Sequence, residues 1–215
     1  MILFLVRHGN TFERDQQPYW IGSQQDLDLT SEGINQAFEL AKALSSLAPQ
    51  ISEVVSAPLL RTLKFSSILQ SELKIPGIVR EDLKLAEINY GDWGGLTSAE
   101  ILERFGSEEI EDWEKRGIWP KMRNWSPSSE KIKSDIFDLT AEIKRSERNV
   151  LLVSSNGILR YFLHLIPGLF ERALHEGWAK MRTGALGVIR IDNTQNELLG
   201  WNLKSSEIDC SKFIL

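Results

Sequence analysis

Arg7-His8-Gly9 sets a forked cation, an imidazole and a residue without a side chain side by side. A guanidinium matches the oxygens of a phosphate, and a neutral imidazole is both a nucleophile and a hydrogen-bonding group. Gly9 lets the backbone turn and approach a ligand closely. Arg61 lies shortly after Pro58, a helix-start signal, in a first turn whose free N–H groups favour an anion over a structural cation. Glu87 precedes a loop shaped by Gly91, Gly94 and Gly95 with Tyr90 and Trp93 between them. A carboxyl held beside such rings has its pKa raised and becomes a candidate proton donor, and Asp92 competes for that part.

These residues need rigid elements to deliver them. Met1 to Val6 reads as a short buried strand that stops at Arg7 and His8, and in open α/β sheets ligands bind at the carboxyl ends of the strands. Val150 to Ser154 is another apolar strand, and Ser155-Asn156-Gly157 leads it straight into a helix. Ile51 to Ser56 reads as a strand, Ile78 to Leu85 as a further strand or edge, and Gly187 to Asp192 and Glu197 to Leu203 as closing strands around an Asn193-Thr194 turn. Thr30 is placed to cap a helix whose apolar stripe is Ile34, Ala37, Phe38, Ala41 and Leu44. Lys131 to Lys144 is another amphipathic helix, with Ile132, Ile136, Leu139 and Ile143 on one side. Helix–strand alternation of this kind implies an α/β fold with a largely parallel sheet. There is no internal repeat and no low-complexity tract.

The chain has 215 residues with a formal net charge of -5, a size that suits a single domain. That balance disfavours nucleic acid as a partner but leaves room for a small anionic substrate held by a local arginine cluster. With 1 cysteine, Cys210, an internal disulfide is impossible and a cysteine zinc site lacks ligands. The apolar N-terminal run is too short for a signal peptide or a membrane span, so a cytoplasmic protein with no membrane partner is expected. Neither a glycine-rich nucleotide loop nor a metal-binding helix or carboxylate loop occurs, so no cofactor and no metal are expected.

Strand-Arg7-His8-Gly9 resembles the N-terminus of the histidine phosphatase superfamily, which includes the phosphoglycerate mutases and related phosphatases. Three further stretches are similar to that family: Leu29-Thr30 with Gly33, Gln36 and Ala37; Ser56-Ala57-Pro58-Leu59-Leu60-Arg61; and Glu87 followed by Gly91, Trp93 and Gly95. The resemblance implies a phosphoglycerate mutase-like three-layer sandwich, with helices flanking a mostly parallel central sheet. It implies that Arg7 and Arg61 bind phosphate, that His8 is the nucleophile, and that Glu87 is the acid. It also implies one domain over 1–215 with a helical, tryptophan-containing insertion at about 98–129 that covers the site. Lys115, Arg116, Lys121 and Arg123 of that insertion are candidates to reach the substrate.

The family's second catalytic histidine normally follows the late strand, and here Ser155 occupies that place with Asn156 beside it. Both are neutral hydrogen-bonding groups able to replace part of the lost imidazole's contact with phosphate. His164 and His175 lie further along, the first in a helical pattern that suits packing. Arg14 is a second departure, at a position where many members carry an asparagine. The expected function is therefore metal-independent hydrolysis of a small phosphomonoester through a phosphohistidine, with reduced activity. The alternatives are a catalytically impaired phosphoester-binding or scaffold protein and a mutase-type phosphotransferase. Expected partners are a small phosphorylated substrate or inorganic phosphate.

Overall fold

Strand β1, Ile2–Arg7, explains its own unbroken apolar sequence, because both of its faces are buried. In a computed structural model that describes residues 1–213, Leu3 and Leu5 point into one core while Ile2, Phe4 and Val6 point into the other. Strand β4, Asn149–Ser154, divides in the same way, with Val150 and Leu152 against Leu151 and Val153.

Among the described residues the sheet has 6 strands in the order β3-β2-β4-β1-β5-β6. Here β2 is Ile51–Ser56, β3 Arg80–Glu81, β5 Leu186–Arg190 and β6 Glu197–Leu203. Strands β3, β2, β4 and β1 run parallel, whereas β5 and β6 add antiparallel pairs at one edge. Helices α1, Ser31–Leu44, and α2, Leu60–Glu72, cover one face. The other face carries α3, Ser98–Phe105; α4, Ser107–Glu111; α5, Ser129–Arg145; α6, Asn156–Leu159; and α7, Leu169–His175. The result is a three-layer α/β sandwich.

Helix α5 buries Ile132, Ile136, Leu139 and Ile143, the stripe its period predicts. Helix α1 departs from its predicted stripe: Leu40 is buried and Phe38 is 44% exposed. The buried arc runs through Gly33, Ala37, Leu40, Ala41 and Leu44, with Gly33 against the turn after β1, and leaves Phe38 outside it.

Register decides where the chemistry can gather. Arg7 pairs with Ser154 across β1 and β4, and the His8 N–H donates to the Ser154 carbonyl at 3.1 Å. Parallel strands that end level deliver the residues that follow them, His8 and Ser155, to one crevice. Strand β2 ends on the same side, with Ser56 opposite Val153, and its continuation through Pro58 starts α2 and brings in Arg61.

Candidate active site

A cleft of about 560 Å³ opens at the carboxyl ends of β1, β2 and β4. Arg7, His8, Arg61, Glu87, Ser155 and Asn156 all line it, so the residues singled out in sequence converge on one place. Its volume suits a small molecule. Asp92 is elsewhere: it is exposed and accepts from Asn124 Nδ2 at 2.9 Å.

His8 is 5% exposed, and its Nδ1 lies 2.8 Å from the Gly9 carbonyl oxygen. A carbonyl only accepts, so Nδ1 carries the proton and Nε2 keeps its lone pair. Burial, and then the charges of Arg7 and Arg61, hold the imidazole pKa well below its ordinary value. His8 is thus neutral and nucleophilic at neutral pH.

The turn carrying His8 is fixed by helix α1. A Cβ on Gly9 would sit 2.4 Å from the Gly33 carbonyl oxygen, and one on Gly33 would sit 2.2 Å from that of Asn10. Thr30 caps α1 by accepting from the Gly33 N–H at 3.1 Å, and Gln36 Oε1 accepts from the Asn10 N–H at 2.9 Å. The Leu29-Thr30-Gly33-Gln36 stretch, which reads in sequence as an amphipathic helix start, therefore clamps the loop that carries His8 as well.

Two guanidinium groups flank His8. Arg61 is 1% exposed and donates through Nη1 to the Gln25 carbonyl at 3.0 Å and through Nη2 to that of Gly22 at 2.9 Å. Arg7 donates through Nη1 to the Met181 carbonyl. In both side chains Nε is buried without a partner, and the Ser155 hydroxyl, on a residue 2% exposed, is in the same state. Arg7, Arg61 and Ser155 line the cleft with His8, so two guanidinium groups and a hydroxyl gather where an acceptor-rich anion could bind. Asn156 Oδ1 accepts from the Met181 N–H at 2.8 Å, which turns the amide's donor end away from that bond.

Glu87 is 7% exposed and accepts from the Ile88 N–H at 2.9 Å and the Gly157 N–H at 3.3 Å. Burial raises its carboxyl pKa, against the opposing pull of these N–H groups and of Arg61 and Arg7. The raised value favours a carboxyl that holds a proton to donate. A Cβ on Gly157 would lie 2.3 Å from Glu87 Oε1 and 2.5 Å from the Tyr90 hydroxyl, so any larger residue here would displace those side chains.

Sequence reasoning did not single out Tyr90, Trp113, Arg160, Lys180, Asn10 or Thr183 as lining this cleft. The Thr183 hydroxyl donates to Asn10 Oδ1, and burial pushes the Tyr90 phenol well above its ordinary pKa. Conversely, none of the four insertion cations lines the cleft. Lys115 and Arg116 pair with Glu111 and Asp112, Arg123 grips Glu109 at 2.9 Å, and Lys121 is exposed. Arg14 is exposed at the cleft's mouth. His164 stacks on Phe170 at 3.9 Å, outside the cleft.

Residues 3–204 match the model of the histidine phosphatase superfamily, branch 1, and the chain belongs to that family. It is 31% identical over 115 residues to a 2,3-bisphosphoglycerate-dependent phosphoglycerate mutase of Methylocella silvestris. That match takes in 53% of this chain and 55% of the mutase, so the chain spans about half the length of this relative. A glucosyl-3-phosphoglycerate phosphatase of Mycobacterium tuberculosis is 29% identical over 175 residues, 73% of this chain and 71% of that protein. Among solved structures, a mycobacterial glucosyl-3-phosphoglycerate phosphatase in complex with VO3 superposes with a TM-score of 0.77 at 24% identity, covering 94% of this chain and 98% of that one. An α-ribazole phosphatase from Shigella flexneri gives 0.72 at 22% identity, covering 95% and 97%. These likenesses describe the fold. Among the described residues no helix is long and apolar enough to cross a membrane.

Proposed function

We propose that the protein is a metal-independent phosphomonoester hydrolase that acts through a phosphohistidine on a small phosphorylated metabolite, within one domain spanning 1–215. The observation that carries this reading is the meeting of Arg7, Arg61, Glu87 and Ser155 with a neutral buried His8 in one cleft. The named phosphatases among its relatives and structural neighbours point the same way.

In this reading His8 Nε2 attacks phosphorus and the ester P–O bond breaks. Glu87 gives its proton to the departing oxygen, so the alcohol leaves neutral. Arg7 and Arg61 hold the phosphoryl oxygens as charge builds on them. Water then attacks the phosphohistidine while Glu87, now a carboxylate, takes its proton. The P–N bond breaks, inorganic phosphate leaves, and both side chains return to their starting states.

Ser155, in the place of the family's second histidine, offers the transferring oxygens a hydroxyl in place of an imidazolium. Losing a preorganised donor of that kind costs about a hundred- to a thousand-fold in rate, so the expected hydrolysis is slow. The second reading, a phosphoester-binding protein without turnover, rests on the same substitution. A screen of small phosphomonoesters for inorganic phosphate release decides between them. Release that disappears in His8→Ala supports hydrolysis; phosphate binding with no release by the wild-type protein favours the binding reading. A phosphoglycerate mutase-type transferase would instead return the phosphoryl group to an acceptor alcohol, detectable as phosphate exchange between substrates.

A further inference from the structure

The Arg7 guanidinium is held by an acceptor that Asn156 holds in turn. Arg7 donates through Nη1 to the Met181 carbonyl, and the Met181 N–H donates to Asn156 Oδ1 at 2.8 Å. One residue thus joins the end of β1 to the start of α6, the short helix that follows β4. A backbone N–H only donates, so the amide oxygen is the end of Asn156 that faces Met181.

The rest of the segment between α7 and β5 is tied to other places. The Arg182 N–H donates to Asn202 Oδ1 on β6 at 2.7 Å, and the Thr183 hydroxyl donates to Asn10 Oδ1. The Gly184 N–H reaches the carbonyls of Arg7 and His8, each at 3.1 Å. These bonds fix the backbone at the end of β1 and leave the Arg7 side chain to Met181. The Met181 side chain is 1% exposed, in the same core as Leu3 and Leu5, so packing pins its Cα. Packing does not set the tilt of the peptide groups on either side of that Cα. The bond to Asn156 sets it on one side, and the chain carries it to the carbonyl on the other. Without that acceptor the Met181 N–H would be buried and unpaired, and the segment would turn to find another partner. The carbonyl, and the Arg7 fork with it, would then leave its place.

We propose that Asn156 is a positioning residue: its amide oxygen, acting through the Met181 backbone, aims the Arg7 fork at the transferred phosphoryl group. This task differs from donating to phosphate, because it uses Oδ1 and leaves Nδ2 free. A planar fork depends on angle as well as charge, and a misplacement of about 1 Å costs about a hundred-fold in rate. His8 feels the same placement. After burial, the charge of Arg7 and then that of Arg61 on α2 hold the imidazole neutral, while Glu87 and Tyr90 face Arg7 from the glycine-rich loop. The inference rests on the phosphohydrolase reading only for what Arg7 binds.

The test combines calorimetric binding of inorganic phosphate with an NMR titration of the His8 imidazole in the free protein, its resonance assigned with His8→Ala. Asn156→Ala should weaken phosphate binding by about ten-fold. With Arg7→Gln already in place, the same change should cost no more than about two-fold. In Asn156→Ala the His8 pKa should rise towards its ordinary value, because a loosened Arg7 acts on it less; loss of a neutral amide that served only as a donor would not raise it. Asn202→Gly frees the same segment one residue further on, at a position whose φ is 57°, and should leave both readings unchanged. Unchanged affinity in Asn156→Ala, equal losses with and without Arg7, or a His8 pKa that does not rise overturns the proposal. Asn202→Gly reproducing the effects also overturns it, by assigning them to general loosening of the segment. If Asn156→Ala does not fold, Asn156→Leu, which fills the space and removes the acceptor, takes its place. If binding after Arg7→Gln is too weak to measure, the His8 titration decides. A wild-type protein that binds no phosphate overturns the phosphohydrolase reading instead, and the titration, which needs no ligand, still decides the link from Asn156 to Arg7.

Discussion

The Nδ1 of His8 is hydrogen-bonded to the carbonyl oxygen of Gly9 at 2.8 Å, so the residue that shapes the turn also fixes the tautomer of the imidazole before it. With Nδ1 protonated, the lone pair is on Nε2, and burial, and then the charges of Arg7 and Arg61, keep that nitrogen from binding a proton. Gly9 has this position only because Gly33 lets helix α1 approach it. Gly33→Ala would force a methyl group to within 2.2 Å of the Asn10 carbonyl oxygen. We expect it to destabilise the fold by about 1–3 kcal/mol and to lower phosphate release disproportionately, measured by thermal unfolding and by initial rates.

The two shifted groups set opposite limbs of the pH profile. His8 must be neutral to attack, and its pKa lies well below 6.5, so activity should hold through the range where an ordinary imidazole protonates and fail only at lower pH. Glu87 must be protonated to donate, and its pKa is raised above 4.5, so activity should fall as pH rises through that raised value. Glu87→Gln should abolish the basic limb and lower kcat for poor leaving groups by about a hundred-fold or more. An aryl phosphate, whose phenolate leaves without protonation, should be affected far less.

Stability follows the same linkage. His8 is buried neutral with a depressed pKa, so its contribution is fully present above about 6.5 and is lost as pH falls towards its folded value. His164, with its pKa lowered to about 4 by burial and by Lys133, adds a loss of the same sign between about 6.5 and that value. Denaturant unfolding at pH 7 and pH 5 should show a drop that shrinks in His164→Phe. An unchanged drop would exclude His164 as a contributor.

The main strands and the capped helix α1 were legible in the sequence, because strand period and turn residues are local signals, whereas the grouping of Arg7, His8, Arg61 and Glu87 came from the family resemblance of their motifs. Arg160 was not legible. A buried arginine one turn into a helix has the same local signature as an exposed one, and only the approach of Trp113 from a distant turn gives it its place. The same reason hides Phe38, whose exposure depends on which arc of α1 packs on the sheet. Glu87 and Asp92 are indistinguishable as nearby carboxylates in one loop, and burial separates them.

Arg61 supports the fold as well as the pocket, since it donates to the Gly22 and Gln25 carbonyls of the loop over the cleft. Arg61→Ala should cost about 1–3 kcal/mol of stability and remove most of the stabilisation given by phosphate. In the wild-type protein that stabilisation should reach about 2.7 kcal/mol at a hundred-fold excess over Kd. A ligand-induced shift in Tm that persists in Arg61→Ala would put the anion elsewhere.

Ser155→His should raise hydrolysis by supplying a cationic donor to the transferring oxygens, by up to a hundred- to a thousand-fold. The gain is limited by repacking, because the ring must enter a position 2% exposed. Asn156→Ala in the parent should lower the rate further. A faster Asn156→Ala enzyme would exclude the amide as a donor.

The most direct measurement is rapid-quench trapping of the enzyme during turnover of a labelled phosphomonoester, followed by mapping of the labelled residue. The expected result is an acid-labile, base-stable phosphoryl adduct on Nε2 of His8, formed before inorganic phosphate appears and decaying as it is released. Phosphate release with no adduct, or with an adduct on any other residue, would contradict the assignment of His8 as the nucleophile.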